Sequence, residues 1–534
     1  LIGRVRHGEP RVVRALAAVY RPVLEWSLAH GGVVLGMALG AMALAGFLYF
    51  QVGKTFMPTM DEGDLIVQLE KLPSITLEES IAVDTRFQKA LMAEVPEVLG
   101  VVSRTGSDEI GLDPMGLNET DSFLVLRPRE KWTVPDKEAL KERIRQVLEH
   151  FPGVAYTFTQ PIEMRVSEML TGVRGDVAIK IFGDDFEALN RTAEALVGII
   201  SELDGAQDVY APRNEGAQYL RLVVDRLSAG RLGLDVDTLE DDLRAQIEGL
   251  RVGTVYRQAR RYPLLLRGPE SLRESPAAFA HQYVVLDDGK RVPLAQLVRI
   301  ERSEGPVAVK REHGKRMAVV IANVTGRDLV GFVEEAKRVV AERLELPTGF
   351  YLEWGGQFEN QQRAARRLAI VVPVAVGLIF LILFSTFRSV RQALLVLANI
   401  PFAMIGGVVS LWLTGAYLSV PASVGFIALL GIAVLNGVVM VTYFNQLQAM
   451  GRPVERVVRE GALRRLRPVL MTASIAAFGL VPLLFATGPG SEIQRPLAIV
   501  VIGGLVTSTL LTLVLLPVLY RRFGAPPAKE SAHA

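Results

Sequence analysis

Residues 424–444 read VGFIALLGIAVLNGVVMVTYF, an unbroken run without a charged side chain. A bilayer core is crossed by about 20 apolar residues in helical form, so this stretch is long enough to span one. Working outward, similar runs lie at 32–52 (GVVLGMALGAMALAGFLYFQV), 368–384, 393–413, 469–486 and 497–520. That makes six expected membrane helices. Between the first and second of them, residues 54–366 form a long polar stretch.

Arginine placement sets the expected orientation, because positively charged short segments stay on the cytoplasmic side. Arg4, Arg6, Arg11 and Arg14 precede the first span. Arg452, Arg456, Arg459, Arg464, Arg465 and Arg467 lie between the fourth and fifth, and Arg521 and Arg522 follow the sixth. Six alternating crossings put these segments, and the Arg388/Arg391 turn, on one side and the polar domain on the other.

The chain has no cysteine, which removes disulfides and thiolate metal sites, and its net charge of +2 decides little. A secretory leader is not evident and position 1 is leucine, which points to a fragment. The six histidines (His7, His30, His150, His281, His313 and His533) are scattered without HxH or i, i+4 spacing. With no P-loop, zinc-hydrolase motif or nucleophile triad, ATP hydrolysis and enzymatic chemistry are not expected.

The polar domain reads as two copies of one pattern. In the first, a strand at 64–70 (DLIVQLE) precedes Thr76, an N-cap with Glu79 three residues on. A helix carrying Leu77, Ile81, Phe87 and Leu91 follows, then strands near 98–103 and 122–126, a helix at 137–149 and a strand at 153–159. This is βαββαβ, the ferredoxin-like order. The second copy has a strand at 176–182, a helix through Leu189, Leu196 and Leu203, and a strand at 219–225. It resumes with a strand at 316–324, a helix at 329–344 and a strand at 350–354. Between its halves lies an insertion rich in arginine and aspartate.

The expected fold is therefore an α+β membrane protein: six transmembrane helices with a large domain of two ferredoxin-like βαββαβ subdomains and an inserted subdomain. The segments are a basic N-terminal stretch (1–31), a membrane helix (32–52), a first unit (54–172), a second unit (173–225 with 313–360), the insertion (226–312), a five-helix bundle (366–520) and a tail (521–534).

Four phrases carry a resemblance: GKTFMPTMDEGDLIVQLEKLPSITLEES (53–80), RVSEMLTGVRGDVAIKIFG (165–183), WGGQFENQQRA (354–364) and GFIALLGIAVLNGVVMV (425–441). They closely resemble the heavy-metal efflux branch of the resistance-nodulation-division transporters, over almost the whole chain. The resemblance implies the C-terminal half of that family's protomer, with an N-terminal half elsewhere. It further implies a homotrimeric, multi-pass proton antiporter of the bacterial inner membrane, working with a periplasmic adaptor and an outer-membrane channel. The two units would be periplasmic porter subdomains, and the insertion a docking subdomain. No nucleic-acid partner and no cofactor are implied.

Copper and silver exporters of the family use a methionine triad, and motif matching places its counterparts at Gln68, Glu119 and Glu168. All three sulfurs are missing here. The segment 107–121 (SDEIGLDPMGLNETD) instead carries Asp108, Glu109, Asp113, Glu119 and Asp121, which the family cleft would bring near Glu163 and Glu168. Thioethers favour copper(I) and silver, whereas carboxylates suit zinc, cobalt, nickel and cadmium, so a divalent cargo is expected, zinc first. The ligand set is Gln68, Glu119, Asp121 and Glu168, with Asp113 and Glu163 as weaker members. Arg165 and Arg174 match basic residues of the cleft. Met115, Met164 and Met169 keep a soft site open, and export of organic drugs or a non-transporting scaffold are the alternatives.

The six spans contain no ionisable residue at bilayer depth, although proton antiport needs one. The proton relay is therefore expected outside this chain, with Asn436 and Thr472 as polar support for it.

Overall fold

The computed structural model describes residues 11–58, 60–107, 115–171, 175–212, 215–258, 260–273, 275–286, 288–488 and 490–524; for 11–13 and 167–171 only the backbone is described. Among the described residues six helices are long and apolar enough to cross a membrane. Ahead of the first, helix α1 (Arg11–Ala29) buries Tyr20, Leu24 and Leu28, spaced by four on one face, and leaves Arg14 and Arg21 exposed. Part of the expected basic N-terminal stretch is thus an amphipathic helix. It is moored to the bundle where the Tyr20 hydroxyl donates to the Leu513 carbonyl at 2.6 Å.

Helix α2 (Gly31–Gln51) matches the first expected span within a residue. The polar domain follows it. The first unit contains β1 (Leu65–Glu70), α3 (Leu77–Glu94), β2 (Val98–Thr105), β3 (Glu119–Leu126), α4 (Lys137–Leu148) and β4 (Ala155–Thr159). Thr76 caps α3 by accepting from the Glu79 amide, a contact worth about 1 kcal/mol. The strands form one antiparallel sheet in the order β2-β3-β1-β4. Leu65, Val67 and Leu69 alternate onto the face packed by Phe87 and Leu91 of α3 and by Leu140 and Ile144 of α4. Ile66, Gln68 and Glu70 therefore occupy the opposite face.

Helix α5 (Pro161–Thr171) leads to the second unit: β5 (Val177–Phe182), α6 (Phe186–Ser201) and β6 (Ala206–Tyr210). An insertion intervenes, running from β7 (Ala217–Val224) through α7 (Arg226–Arg231), α8 (Val236–Ile247), β8 (Leu250–Arg257), β9 (Arg260–Leu266), α9 (Pro276–Ala280), β10 (Tyr283–Val285) and β11 (Arg291–Pro293) to β12 (Val298–Gly305). A short β13 (Arg311–Glu312) precedes β14 (Lys315–Val324), α10 (Leu329–Arg343) and β15 (Tyr351–Gly356), which complete the unit. β14 lies between β6 and β5, with β15 on the far side of β5, so the strand order of the first sheet recurs. One expectation is corrected. The strand at 219–225 does not join this sheet but pairs with β12, making a stem that carries the insertion; β6 takes its place.

The remaining spans are α11 (Gln357–Phe387), the pair α12 (Val390–Leu397) and α13 (Asn399–Thr414), α14 (Val420–Ala449), α15 (Val454–Leu484) and α16 (Ser491–Leu519). The break before α13 coincides with Pro401, which has no N–H for the preceding turn. α13, α14 and α16 form the packed centre. There Gly406 and Gly503 let two backbones meet: a side-chain carbon on Gly406 would collide with the Gly503 carbonyl.

Candidate cation site

The face of the first sheet opposite α3 and α4 carries a polar row. In register across all four strands stand Arg104 (β2), Asp121 (β3), Gln68 (β1) and Thr157 (β4). Asp121 is fully buried. Its Oδ2 accepts from Arg104 Nη2 at 2.7 Å and its Oδ1 from Gln68 Nε2 at 2.8 Å. Gln68 Nε2 also faces the Met164 sulfur at 3.6 Å, while Gln68 Oε1 is buried with no hydrogen-bond partner among the described residues.

Gln68 and Thr157 line a cavity of about 150 Å³ in the seam between the units. Its other walls include Glu163 of α5 and, from the second unit, Asp176, Asp208 and Asn323. The Asn323 Nδ2 bridges the seam, donating to Thr157 Oγ1 at 3.5 Å and Asp208 Oδ2 at 3.3 Å. Arg145 meets the charge of Asp208 at 3.2 Å, and Lys141 that of Glu138 at 2.8 Å. Glu163 and Asp176 are left as two neighbouring carboxyls. Burial, then the Asp176 charge, pushes the Glu163 carboxyl up to about 7. Burial likewise raises Asp176, although the Val324 amide donates to it at 3.1 Å. Two desolvated acids facing one small volume favour a shared proton or a cation.

The helix bearing Glu163 is held by a carboxylate from outside. Glu62 accepts the amides of Ile162 at 2.6 Å and Glu163 at 2.8 Å, a negative charge placed at the N-terminus of α5 where the helix dipole favours it. Glu62, Arg104 and Asp176 escaped the sequence reading. The acids of MDEGD (60–64) were a signal for Glu62; Asp176 read only as a strand residue, and Arg104 fell one residue past the strand expected at 98–103, which extends to Thr105.

The structure brings Gln68 and Glu163 to this seam, with Asp121 behind Gln68. Glu119 lies two residues from Asp121 on the same face of β3, but it lines a neighbouring cavity of about 290 Å³ with Asn118, Asn190 and Lys310. Arg165 is exposed on α5. The side chain of Glu168, and Asp113 and Arg174 altogether, lie outside the described residues. Among the described residues no three His, Cys, Asp or Glu side chains are grouped to hold a metal ion. An ion in the seam would thus rest on two carboxylates and neutral oxygen donors such as Gln68 Oε1.

In the membrane bundle, Thr472 donates to Asn436 Oδ1 at 3.0 Å, and the buried Asn436 Nδ2 has no partner among the described residues. Asn399 Nδ2 donates to the Ala433 carbonyl at 3.2 Å and also bonds Thr512.

Six helices long and apolar enough to cross a membrane accompany a repeated α/β domain with a charged seam among the described residues. The profile of the AcrB/AcrD/AcrF family matches residues 5–524, and the chain belongs to that family, in its heavy-metal efflux branch. The cobalt-zinc-cadmium resistance protein CzcA of Cupriavidus metallidurans is 40% identical over 525 residues, covering 97% of this chain and 49% of that protein. The nickel and cobalt resistance protein CnrA of the same organism is 39% identical over 541 residues, with 99% and 50% covered. The cation efflux system protein CusA of Escherichia coli is 31% identical over 524 residues, with 95% and 50% covered. A crystal structure of a heavy metal efflux pump superposes with a TM-score of 0.85 at 36% identity, covering 97% of this chain and 53% of that one. The chain spans about half the length of the curated relatives it matches.

Proposed function

We propose that this chain forms part of a proton-driven exporter of divalent heavy-metal cations, zinc foremost, with cobalt, cadmium and nickel as further cargo. The seam between the two units, read as periplasmic porter subdomains, is the cation's transit site. The observation that carries this reading is the pairing of Glu163 and Asp176, half-buried and raised, beside a Gln68 oxygen that has no hydrogen-bond partner among the described residues. Oxygen donors of this kind suit borderline divalent ions rather than copper(I) or silver. Two carboxylates with neutral donors make a site that can release its ion, as transport requires. Glu119 on the same strand, Glu168 and the weaker Asp113 are further ligands, and Arg165 and Arg174 further basic residues, that the family resemblance implies, with Asp121 behind Gln68. Greater likeness to the cobalt-zinc-cadmium protein than to CusA supports the same choice.

The assembly is a homotrimer in the bacterial inner membrane, joined to a periplasmic adaptor and an outer-membrane channel. In support, β9 is exposed along its length and β8 at most positions, including Tyr256, Leu264 and Leu266, and a two-stranded ribbon is marginal without a partner. Protons cross through residues outside this chain, next to Asn436 and Thr472. Proteoliposomes test the reading. Full-length protein should couple zinc movement to proton flux and lose both on Glu163→Gln, while this chain alone should bind zinc without proton flux. Proton flux through this chain alone, or undiminished zinc transport in the variant, would refute it.

A further inference from the structure

We infer that Arg104 and Asp121 form a positioning relay that turns the Gln68 amide so that its oxygen, not its nitrogen, serves the cation cavity. The inference rests on the transit-site reading above and deepens it.

An amide side chain has a donor end and an acceptor end of nearly equal size, so its orientation is set by its neighbours. An ionised carboxylate only accepts. Asp121 has both oxygens committed, one to the Arg104 guanidinium at 2.7 Å and one to Gln68 Nε2 at 2.8 Å. The guanidinium carries a permanent charge and is the ion-pair partner of the fully buried Asp121 side chain. Gln68 must then present its NH₂ to Asp121, since the reversed amide would set two acceptors face to face. The second amide hydrogen points at the Met164 sulfur. Both hydrogens are occupied, and Oε1 is left buried and unpaired on a residue that lines the cavity. A buried carbonyl without a donor carries a desolvation penalty that a cation would relieve. The relay reaches inward from β2, the edge strand of the sheet, so Arg104 acts without touching the ion.

This separates Asp121 from the ligands. It is a positioning residue whose effect on the cation passes through Gln68, as hydrogen-bonding partners behind metal ligands do elsewhere.

The test is a double-substitution cycle at Asp121 and Gln68, read as Zn(II) affinity by calorimetry on the full chain, with thermal unfolding to confirm folding. Asp121→Asn can offer either end to the amide and should weaken Zn(II) by roughly 10- to 100-fold. Gln68→Glu alone sets a carboxylate against Asp121 and should also weaken binding. Gln68→Glu combined with Asp121→Asn should recover at least wild-type affinity, because a carboxylate presents oxygen in both directions. That reversal of sign is not expected if Asp121 merely holds the sheet together. Unchanged affinity in Asp121→Asn, or a double variant no better than either single one, would overturn the relay. Glu163→Gln separates the two claims: if it leaves Zn(II) affinity intact the transit site itself is wrong, whereas if it alone weakens binding only the relay fails.

Discussion

The two sheets share a strand order and differ at one matched position. The fourth residue of β1 is Gln68 and that of β5 is Lys180, both on the face away from the helices. Gln68 is flanked in register by Asp121 and Thr157; Lys180 is flanked by Val319 and Glu353. Lys180 also carries its own counter-ion, with Nζ 2.6 Å from Glu312. The first face ends in an orphan oxygen and faces two acids, while the second supplies a fixed cation. Repetition preserved the scaffold, and substitution on one face made only the first copy receptive to an incoming positive charge.

The largest expected effect comes from removing that receptivity. Glu163→Gln with Asp176→Asn should lower Zn(II) affinity by at least about 100-fold, the upper end of what losing a supporting partner costs. Lys180→Met should leave it unchanged, and calorimetry on both distinguishes them. If Lys180→Met were as damaging, the division between the sheets would be wrong.

A change of donor softness should be smaller. Converting Gln68, Glu119 and Glu168 together to Met should shift preference from Zn(II) toward Ag(I) by on the order of tenfold, because thioether sulfur suits soft monovalent ions. Competition binding with the two ions reads this directly, and retained Zn(II) affinity with no gain for Ag(I) would reject the assignment.

Glu163 also makes binding and stability respond oppositely to pH. Folding raises its carboxyl from 4.5 to about 7. Between those values the folded state holds a proton that the unfolded state releases, so this contribution is fully present below pH 4.5 and is lost as pH rises through about 7. Zn(II) needs the ionised form, so its affinity should fall by up to about tenfold per pH unit below 7. Melting and titration curves from pH 5 to about 8 should show both trends, and both should shrink in Glu163→Gln.

The smallest effect belongs to the second sheet. Lys180→Gln breaks a pair whose glutamate is 31% exposed, so a loss of about 1–2 kcal/mol is expected in chemical denaturation, with no change in metal affinity. A change in affinity without loss of stability would mean that Lys180 faces the cation after all.

Much of the scaffold was legible because its signals are local. The spans announce themselves by length, and the first unit by alternation in DLIVQLE and the Thr76 cap. The second unit's strand at 206–210 (AQDVY) is half-buried at every position, without alternation, whereas 217–224 looks more regular yet pairs with β12. Pairing partners, not propensity, separate the two. The site was legible only in part. Of the residues expected through acid content and resemblance, Gln68 and Glu163 line the seam, Asp121 lies behind Gln68 and Glu119 lines the neighbouring cavity. Asp176 acquires its meaning from a seam closed by residues such as Asn323, far along the chain, and Arg104 from cross-strand register with Asp121.

Locating the ion itself tests the central claim most directly. Anomalous diffraction from crystals of the full chain grown with Zn(II) should give a peak in the seam, about 2.0–2.2 Å from carboxylate oxygens of Glu163 and Asp176, with the Gln68 oxygen facing it. A peak on the Lys180 face of the second sheet, or none in the seam at a saturating concentration, would contradict the account.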